Sequence, residues 1–548
     1  MKWLWRKPKA AYALLAATVM LPLLLPGYIL TLDMVFTPRL RMPDTVTSSY
    51  LFRAGLSLLN IIIPSQIIQK ILLFGILFLS GWGMYLLSRA IQNKEHTVTT
   101  RVGAYAAGML YMINPFTYSR FMAGQYSVLM GYALLPFFAR AWLVFLAGPS
   151  RRRMLIVAAW IVFISIVSIH TLGAVGIVIV VGLCATAWRL RNNKSRLLAA
   201  SKFCIVGLLL VVVANSYWLV PLALGRGSTA QSVQNFSTVD RQAFATEGGN
   251  IVGQLANIAR LQGFWVEGQG LYALPQSRMP AWGLLVIMLW ILIAIGAWQL
   301  WQTKRRFAVA LFGVSSLTAA LLATSAINNW LTGWLPLFAG FREPHKFVSL
   351  VALADAIFVG QGVAYLANKY RRKYDEVGLY GVAAISLVLI VAITPVMLWG
   401  FGGQLKPRQY PHDWFVINQQ LRKDKNPQQT LFLPWHLYSK FSFSGRIVAS
   451  PATDFFDVPV MVNNDPEFAN VKPALPNDST QKIGEILTQA AAHNDLAAQL
   501  AAHHIKYILL SNDNDAKDYQ YLGNQKDLHL LQNTRSLKLY INEAILDK

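Results

Sequence analysis

The chain has 548 residues, 55% of them hydrophobic and only 14% charged, with a mean hydropathy of +0.41. That little charge cannot cover a soluble surface, so an ordinary water-soluble enzyme of this length is excluded. The net charge of +24 is unevenly placed: residues 401–548 hold 15 Lys/Arg and 15 Asp/Glu, which cancel, while the first 400 hold 34 basic and 10 acidic residues. Basic residues in short loops between apolar runs set topology, hold anionic headgroups or bind an anionic substrate. They form no continuous face, so no nucleic-acid partner is expected. Cys184 and Cys204 lie in or beside apolar runs, and neither a disulfide framework nor a zinc site is encoded.

Membrane helices need about 20 apolar residues, fewer in short spans. Eleven segments qualify, near 10–31, 66–88, 102–114, 126–147, 154–169, 171–187, 203–224, 280–301, 307–325, 347–367 and 378–400. The first continues through Pro26-Gly27 to Leu32 without a small-x-small cleavage site, and reads as an anchor. Basic clusters fix the orientation: Lys2, Arg6, Lys7 and Lys9; Arg151-Arg152-Arg153; Arg189, Arg191, Lys194 and Arg196; Lys304-Arg305-Arg306; and Lys369, Arg371, Arg372 and Lys373. Eleven crossings make all of them cytoplasmic, with the N-terminus inside and residues 401–548 outside. The chain is expected to divide into a transmembrane part, 1–400, and an extracytoplasmic α/β domain, 401–548, integral to the cytoplasmic membrane as a whole.

Three outside segments are long: 32–65, with an amphipathic stretch from Ser49 to Ile62; 225–279; and 326–346. Cytoplasmic loops are too short for a nucleotide site, and no P-loop is present. Beyond residue 400, Thr430–Trp435 and His504–Ser511 predict buried strands, about 479–502 predicts a helix, and Leu528–Thr534 with Ser536–Asn542 predicts a hairpin. No duplicated halves with matching broken helices are visible, which disfavours a secondary transporter.

Acids are scarce in the membrane part. Asp33 follows the first helix in PGYILTLDMVFTP (Pro26–Pro38), where partial desolvation would make its carboxylate a better base; an ordinary interfacial Asp ending a helix is the alternative. In GFREPHKF (Gly340–Phe347), Arg342, His345 and Lys346 crowd the start of the tenth helix and could clamp a phosphate. Headgroup snorkelling by Lys346 and an Arg342–Glu343 pair explain them equally well. Arg120 lies among aromatics in INPFTYSRFMAGQYS (Ile113–Ser127), where an interfacial belt is the plainer reading. Trp265 and Glu267, in LQGFWVEGQG (Leu261–Gly270), offer sugar stacking and hydrogen bonding, or simple loop packing. The lone His170, between two short helices, reads as structural.

Together these segments resemble the GT-C class of integral-membrane glycosyltransferases, and among them the membrane part of the mycobacterial-type α-(1→3)-arabinofuranosyltransferase family. PGYILTLDMVFTP is similar to that family's first outer loop, which carries the acid proposed as catalytic; Asp33 falls on it. NSYWLVPLALGRGS (Asn215–Ser228) resembles the segment leading into its large loop, and GFREPHKF its Arg-x-x-His-Lys-Phe element at Arg342, His345, Lys346 and Phe347. The resemblance runs through about residues 10–400. Tyr410–Leu421, Leu431–Tyr438 and His504–Leu510 resemble the tail of related prokaryotic membrane proteins. Two departures stand out. The family's longer C-terminal region with carbohydrate-binding modules has no counterpart, and an acid expected after the glycine of the third–fourth connection is Gln125.

The resemblance implies transfer of a sugar from a polyprenyl-phosphate donor to an envelope glycan, lipid or protein acceptor on the outer face, with inversion. Asp33 would be the base; Arg342, His345, Lys346 and Arg120 would hold the donor phosphate; Trp265 and Glu267 would contact substrate. No metal ligands are assigned and no cofactor is certain, a divalent metal being left open. Membrane lipids are further expected partners. A non-catalytic scaffold or lipid-binding envelope-assembly protein of the same fold is the alternative.

Overall fold

The computed structural model describes residues 7–92, 97–226, 238–303, 305–464, 478–490 and 494–545. Lys2, Arg6, Glu95, Lys304 and the Gly227-Ser228 end of the large-loop motif lie outside the described residues, as do the side chains of Lys194, Arg196 and Asp240.

Helix occurs at each of the eleven apolar segments, but not as eleven equivalent rods. Among the described residues, six helices are long and apolar enough to cross a membrane, or seven if the bent pair Arg306–Leu322 and Ser325–Trp334 counts as one span. The first apolar segment forms a helix only over Pro8–Met20, continued by a tight turn, Leu21–Leu24. The tenth and eleventh join in one element, Val348–Ile393, broken where Tyr374 and Asp375 leave helical geometry. Asp375 has φ 48°, and just beyond it Gly378 turns back against the Tyr370 carbonyl.

The first half of that element is the axis of the molecule. Every residue from Val348 to Ala364 is buried, as its near-continuous apolar composition requires. The Val98–Met112 and Trp282–Gln302 helices pack along it at backbone distance. A Cβ on Gly296 would fall 1.8 Å from the Phe358 carbonyl oxygen. Small residues at such crossings replace side-chain contact with close backbone approach, as membrane helices often do.

Beyond residue 400 the chain builds a mixed sheet. Strands β1 (Gln429–Leu433), β2 (Tyr438–Lys440), β3 (Ile447–Ala449), β4 (Val460–Met461), β5 (Ile505–Ser511), β6 (Leu528–Asn533) and β7 (Leu537–Asn542) are described. Five of them form a sheet in the order β4-β1-β5-β7-β6, and β2 pairs with β3 separately. β1 runs parallel to β4 and β5, whereas β7 runs antiparallel to β5 and β6. The register aligns Phe432, Leu509 and Leu539 in one apolar row across β1, β5 and β7. The helix expected over about 479–502 is two, Asp478–Gln489 and Leu496–Ala502.

This region shares its core with the membrane part. One apolar cluster runs from Tyr12, Val19 and Met34 through Met397 and Phe401 to Tyr410, Trp414 and Leu539. Tyr28 and Arg408 exchange backbone hydrogen bonds of 2.7 and 2.8 Å, and the Tyr410 hydroxyl donates to the Phe36 carbonyl at 3.0 Å. The β2–β3 hairpin lies against the loop after the first helix, the Ala449 N–H donating to the Leu32 carbonyl at 2.8 Å.

Candidate active site

Three pieces of backbone converge where that hairpin meets the first loop. The short helix Pro115–Ala123 is defined by local chemistry: Asn114 caps it by accepting from the Thr117 N–H at 3.0 Å, Pro115 opens it, and Gly124 closes it at φ 80°. Gly124 is also where the first loop crosses. A Cβ there would lie 2.2 Å from Thr31 Oγ1 and 2.6 Å from the Met34 nitrogen. The Asp33 N–H donates to the Ala123 carbonyl at 2.8 Å, so Asp33 is seated on the end of that helix. The third piece is the segment from Pro336 to Phe347, two short 3-10 turns leading into the axial helix.

Asp33 keeps an accessible face, yet both carboxylate oxygens are held. Tyr438, on β2, donates to Oδ1 at 2.9 Å, and the Gln125 amide donates to Oδ2 at 3.3 Å. The same amide reaches Glu343, at 3.2 and 3.3 Å from its two oxygens. Gln125 Oε1 accepts from Arg120, a group that only donates, and this fixes which end of the amide faces the carboxylates. Its NH2 thus lies between the two carboxylates and donates to both. Among the described residues, no group of three or more His, Cys, Asp or Glu side chains gathers as ligands.

Glu343 anchors the basic cluster. It pairs with Arg120 Nη1 at 2.7 Å and with Lys346 Nζ at 3.5 Å. Arg120 is fully buried, its guanidinium carbon 3.9 Å from the centre of the Phe264 ring. Its Nη2 donates to His345 Nδ1 at 2.9 Å, while His345 Nε2 faces the Gln262 carbonyl at 3.0 Å. An arginine on one ring nitrogen and a carbonyl on the other leave one tautomer, neutral imidazole with its proton on Nε2. Arg342 lies less deep, 4.9 Å from the Phe244 ring centre, and its charge reaches both Glu343 and Tyr438.

The two carboxylates are tuned in opposite directions. Burial and then the Glu343 charge raise the pKa of Asp33, against the hydrogen bonds from Tyr438 and Gln125 and the charge of Lys346. Burial would raise Glu343 too, but Lys346, Arg120 and Arg342 outweigh it and hold that carboxyl well below its ordinary value. Tyr438 is pushed well up by burial and by the Asp33 charge, and so stays a hydrogen-bond donor.

Of the residues singled out in sequence, Asp33, Arg120, His345 and Lys346 are linked by hydrogen bonds and ion pairs through Gln125 and Glu343. Glu267 flanks the same short helix from the other side. Ser119 Oγ donates to its Oε1 at 2.6 Å and the Gly263 N–H to its Oε2 at 2.9 Å, and burial lifts it to about 7 against those bonds. Trp265 is 4% exposed, packed on Phe244 and Phe264, so its ring presents no open face for a sugar. His170 is edge-on to Phe341. Sequence reasoning missed Tyr438, read Gln125 only as a departure, and paired Glu343 with Arg342 without the ion pairs from Arg120 and Lys346. A tyrosine 405 positions beyond Asp33 carries no local signal of that contact.

The profile of the family "Alpha-(1->3)-arabinofuranosyltransferase, N-terminal GT-C domain" matches residues 48–538. The chain belongs to this family. The match runs through the tail sheet as well as the helices and takes in the strand that carries Tyr438. Among solved structures, arabinofuranosyltransferase AftD from Mycobacteria superposes with a TM-score of 0.63 at 14% identity, over 99% of this chain and 40% of that one. A mutant form of the same enzyme gives 0.62 and 14%, over 99% and 41%. These likenesses show the GT-C fold, and the chain spans about two fifths of the length of those proteins. The archaeal oligosaccharyltransferase AglB from Archaeoglobus fulgidus aligns over 98% of this chain and 70% of its own at 12% identity, with a TM-score of only 0.45. No curated protein sequence matches.

Proposed function

We propose that this chain transfers a sugar from a polyprenyl-phosphate donor to a hydroxyl of an envelope glycan, lipid or protein acceptor at the outer face of the membrane, with inversion at the anomeric carbon. The observation that carries the reading is the Asp33–Gln125–Glu343 chain of contacts, which joins an accessible, desolvated carboxylate to a cluster of cations. Asp33 takes the proton of the acceptor hydroxyl as its oxygen bonds to the anomeric carbon. The bond from that carbon to the phosphate oxygen breaks, and the electron pair leaves on polyprenyl phosphate. Charge grows on the leaving phosphate, and fixed cations favour that transition state over the ground state. Arg342 and Lys346 are the cations placed to meet it. Arg120 and His345, wholly buried, hold Glu343 and the 3-10 turns in position. Glu267 fixes the short helix under Gln125, and Trp265 forms the wall behind it. Eleven crossings, an inside N-terminus and an outside tail supply the matching topology; the boundary near residue 400 divides membrane from water rather than one core from another.

The test uses purified full-length protein in bilayers, a panel of polyprenyl-phosphate sugars and measurement of released polyprenyl phosphate. Asp33→Asn keeps the size of the side chain and removes the base, and transfer should fall about 10²–10⁴-fold with donor binding little changed. Asp33→Asn with undiminished transfer would remove Asp33 from the mechanism.

A further inference from the structure

A cavity lies on the same side of the bundle as Asp33, between the Tyr50–Asn60 helix and the segment Arg39–Met42. Its volume is about 440 Å³, within the range of roughly 300–1,000 Å³ usual for small-ligand sites. Its wall is pinned: the Leu40 N–H donates to Asn60 Oδ1 at 2.7 Å, and Ser57 Oγ donates to the Leu40 carbonyl at 2.6 Å. The acid on the wall, Asp457, is already neutralised by Arg39 at 3.0 Å and Arg422 at 3.7 Å, and it accepts from Asn418 at 3.0 Å. Arg41 lines the groove too, and its charge reaches Asp454. Its Nη2 is nonetheless buried and has no hydrogen-bond partner among the described residues. A buried guanidinium N–H without an acceptor is costly, and an incoming oxyanion would satisfy it.

The rim is apolar and open. Leu58 is exposed, and Ile61 and Ile62 are 79% and 85% exposed. Only Ile63 and Pro64 separate them from the candidate span Ser65–Ile91, so they sit where headgroups meet hydrocarbon. A helix with its apolar edge at that level and an arginine above it matches a ligand with a negative head and a hydrocarbon tail. We infer that this groove holds the phosphate headgroup of an anionic phospholipid from the leaflet on the Asp33 side. Arg41 takes a phosphate oxygen, Arg39 screens the remaining charge, and the acyl chains lie along Leu58, Ile61 and Ile62. The bound lipid fixes the depth of the Tyr50–Asn60 helix, and with it the loop that begins at Asp33.

Native mass spectrometry of the full-length protein in detergent tests this without any turnover. Phosphatidylglycerol, phosphatidylcholine and undecaprenyl phosphate are titrated separately. Wild-type protein should retain phosphatidylglycerol more tightly than phosphatidylcholine. Arg41→Gln should weaken phosphatidylglycerol about tenfold, as expected for one charge-assisted hydrogen bond, and Arg41→Lys by less. Should Arg41→Gln not yield folded protein, Ile62→Ser on the exposed rim should weaken retention in its place. Equal binding of the two phospholipids, or phosphatidylglycerol binding unchanged by these substitutions, overturns the assignment. So does loss of undecaprenyl phosphate alone, which would make the groove part of the donor path.

Discussion

Asp33 and Glu343 sit at the two sides of one amide group, and a single hydrogen-bond donor is shared between a carboxylate that binds its proton more tightly than usual and one that binds it less. Tyr438→Phe removes the donor on Asp33 Oδ1. That bond favours the ionised form, so its loss raises the pKa of Asp33 further, and the acid limb of the pH–rate profile should move to higher pH. At a pH on that limb, transfer should drop about fivefold, the worth of one hydrogen bond near 1 kcal/mol, with a smaller change on the plateau. A uniform loss at every pH would mark Tyr438 as merely structural. Glu343→Gln asks about stability. It leaves the Arg120 guanidinium buried beside a neutral amide, and breaking such a pair costs about 3–5 kcal/mol. The sign with pH follows from the depressed pKa. Wild-type stabilisation from Glu343 is complete above the unfolded glutamate value of about 4.3 and is lost as pH falls through the lower folded value. Thermal melts should show this acid-side loss in the wild type and a reduced one in Glu343→Gln.

At the scale of elements, the axial helix is held by backbone contacts that tolerate no added atom. Gly296→Ala places a methyl 1.8 Å from the Phe358 carbonyl, so the Trp282–Gln302 helix must move away. Overpacking of this kind costs about 1–3 kcal/mol. Gly283→Ala, on the same helix with open space around its Cβ position, should be neutral. A melting difference between the two, measured in the same detergent, checks the assignment; equal melting points would refute it. Helical content was legible from apolar run length alone, because the hydrocarbon core demands it. So were β5 and the β6–β7 hairpin, whose apolar runs end at polar or turn residues. The break at Tyr374–Asp375 and the end of the Asp478–Gln489 helix, well short of the expected 502, were less legible, since neither is marked by proline. The 83° bend between Arg306–Leu322 and Ser325–Trp334 depends on what those helices pack against.

At the scale of the whole molecule, every basic cluster read from the sequence agrees with one orientation, and labelling can test it. In a Cys184→Ser, Cys204→Ser background, Lys425→Cys places a thiol on the exposed surface of the tail. An impermeant maleimide should label it in intact cells, whereas Lys373→Cys should react only after lysis. The reverse pattern would invert the topology and place the Asp33 side of the protein in the cytoplasm.

The sequence by itself determined that this is a helical membrane protein with an α/β tail, because hydropathy, alternation and charge asymmetry are local properties that each segment carries alone. It also marked Asp33 and the Arg342–Lys346 segment, since a carboxylate or a basic knot at a helix end is unusual wherever it occurs. Only the tertiary structure decided which charges meet. Arg120 belongs to Glu343, Gln125 joins two carboxylates, and the tail delivers Tyr438 to Asp33. Hydrogen bonds and ion pairs act over a few ångströms, and the residues that make them here are separated by 92 to 405 positions. Their pairing is a consequence of how the helices and the hairpin pack, which no window of the sequence contains.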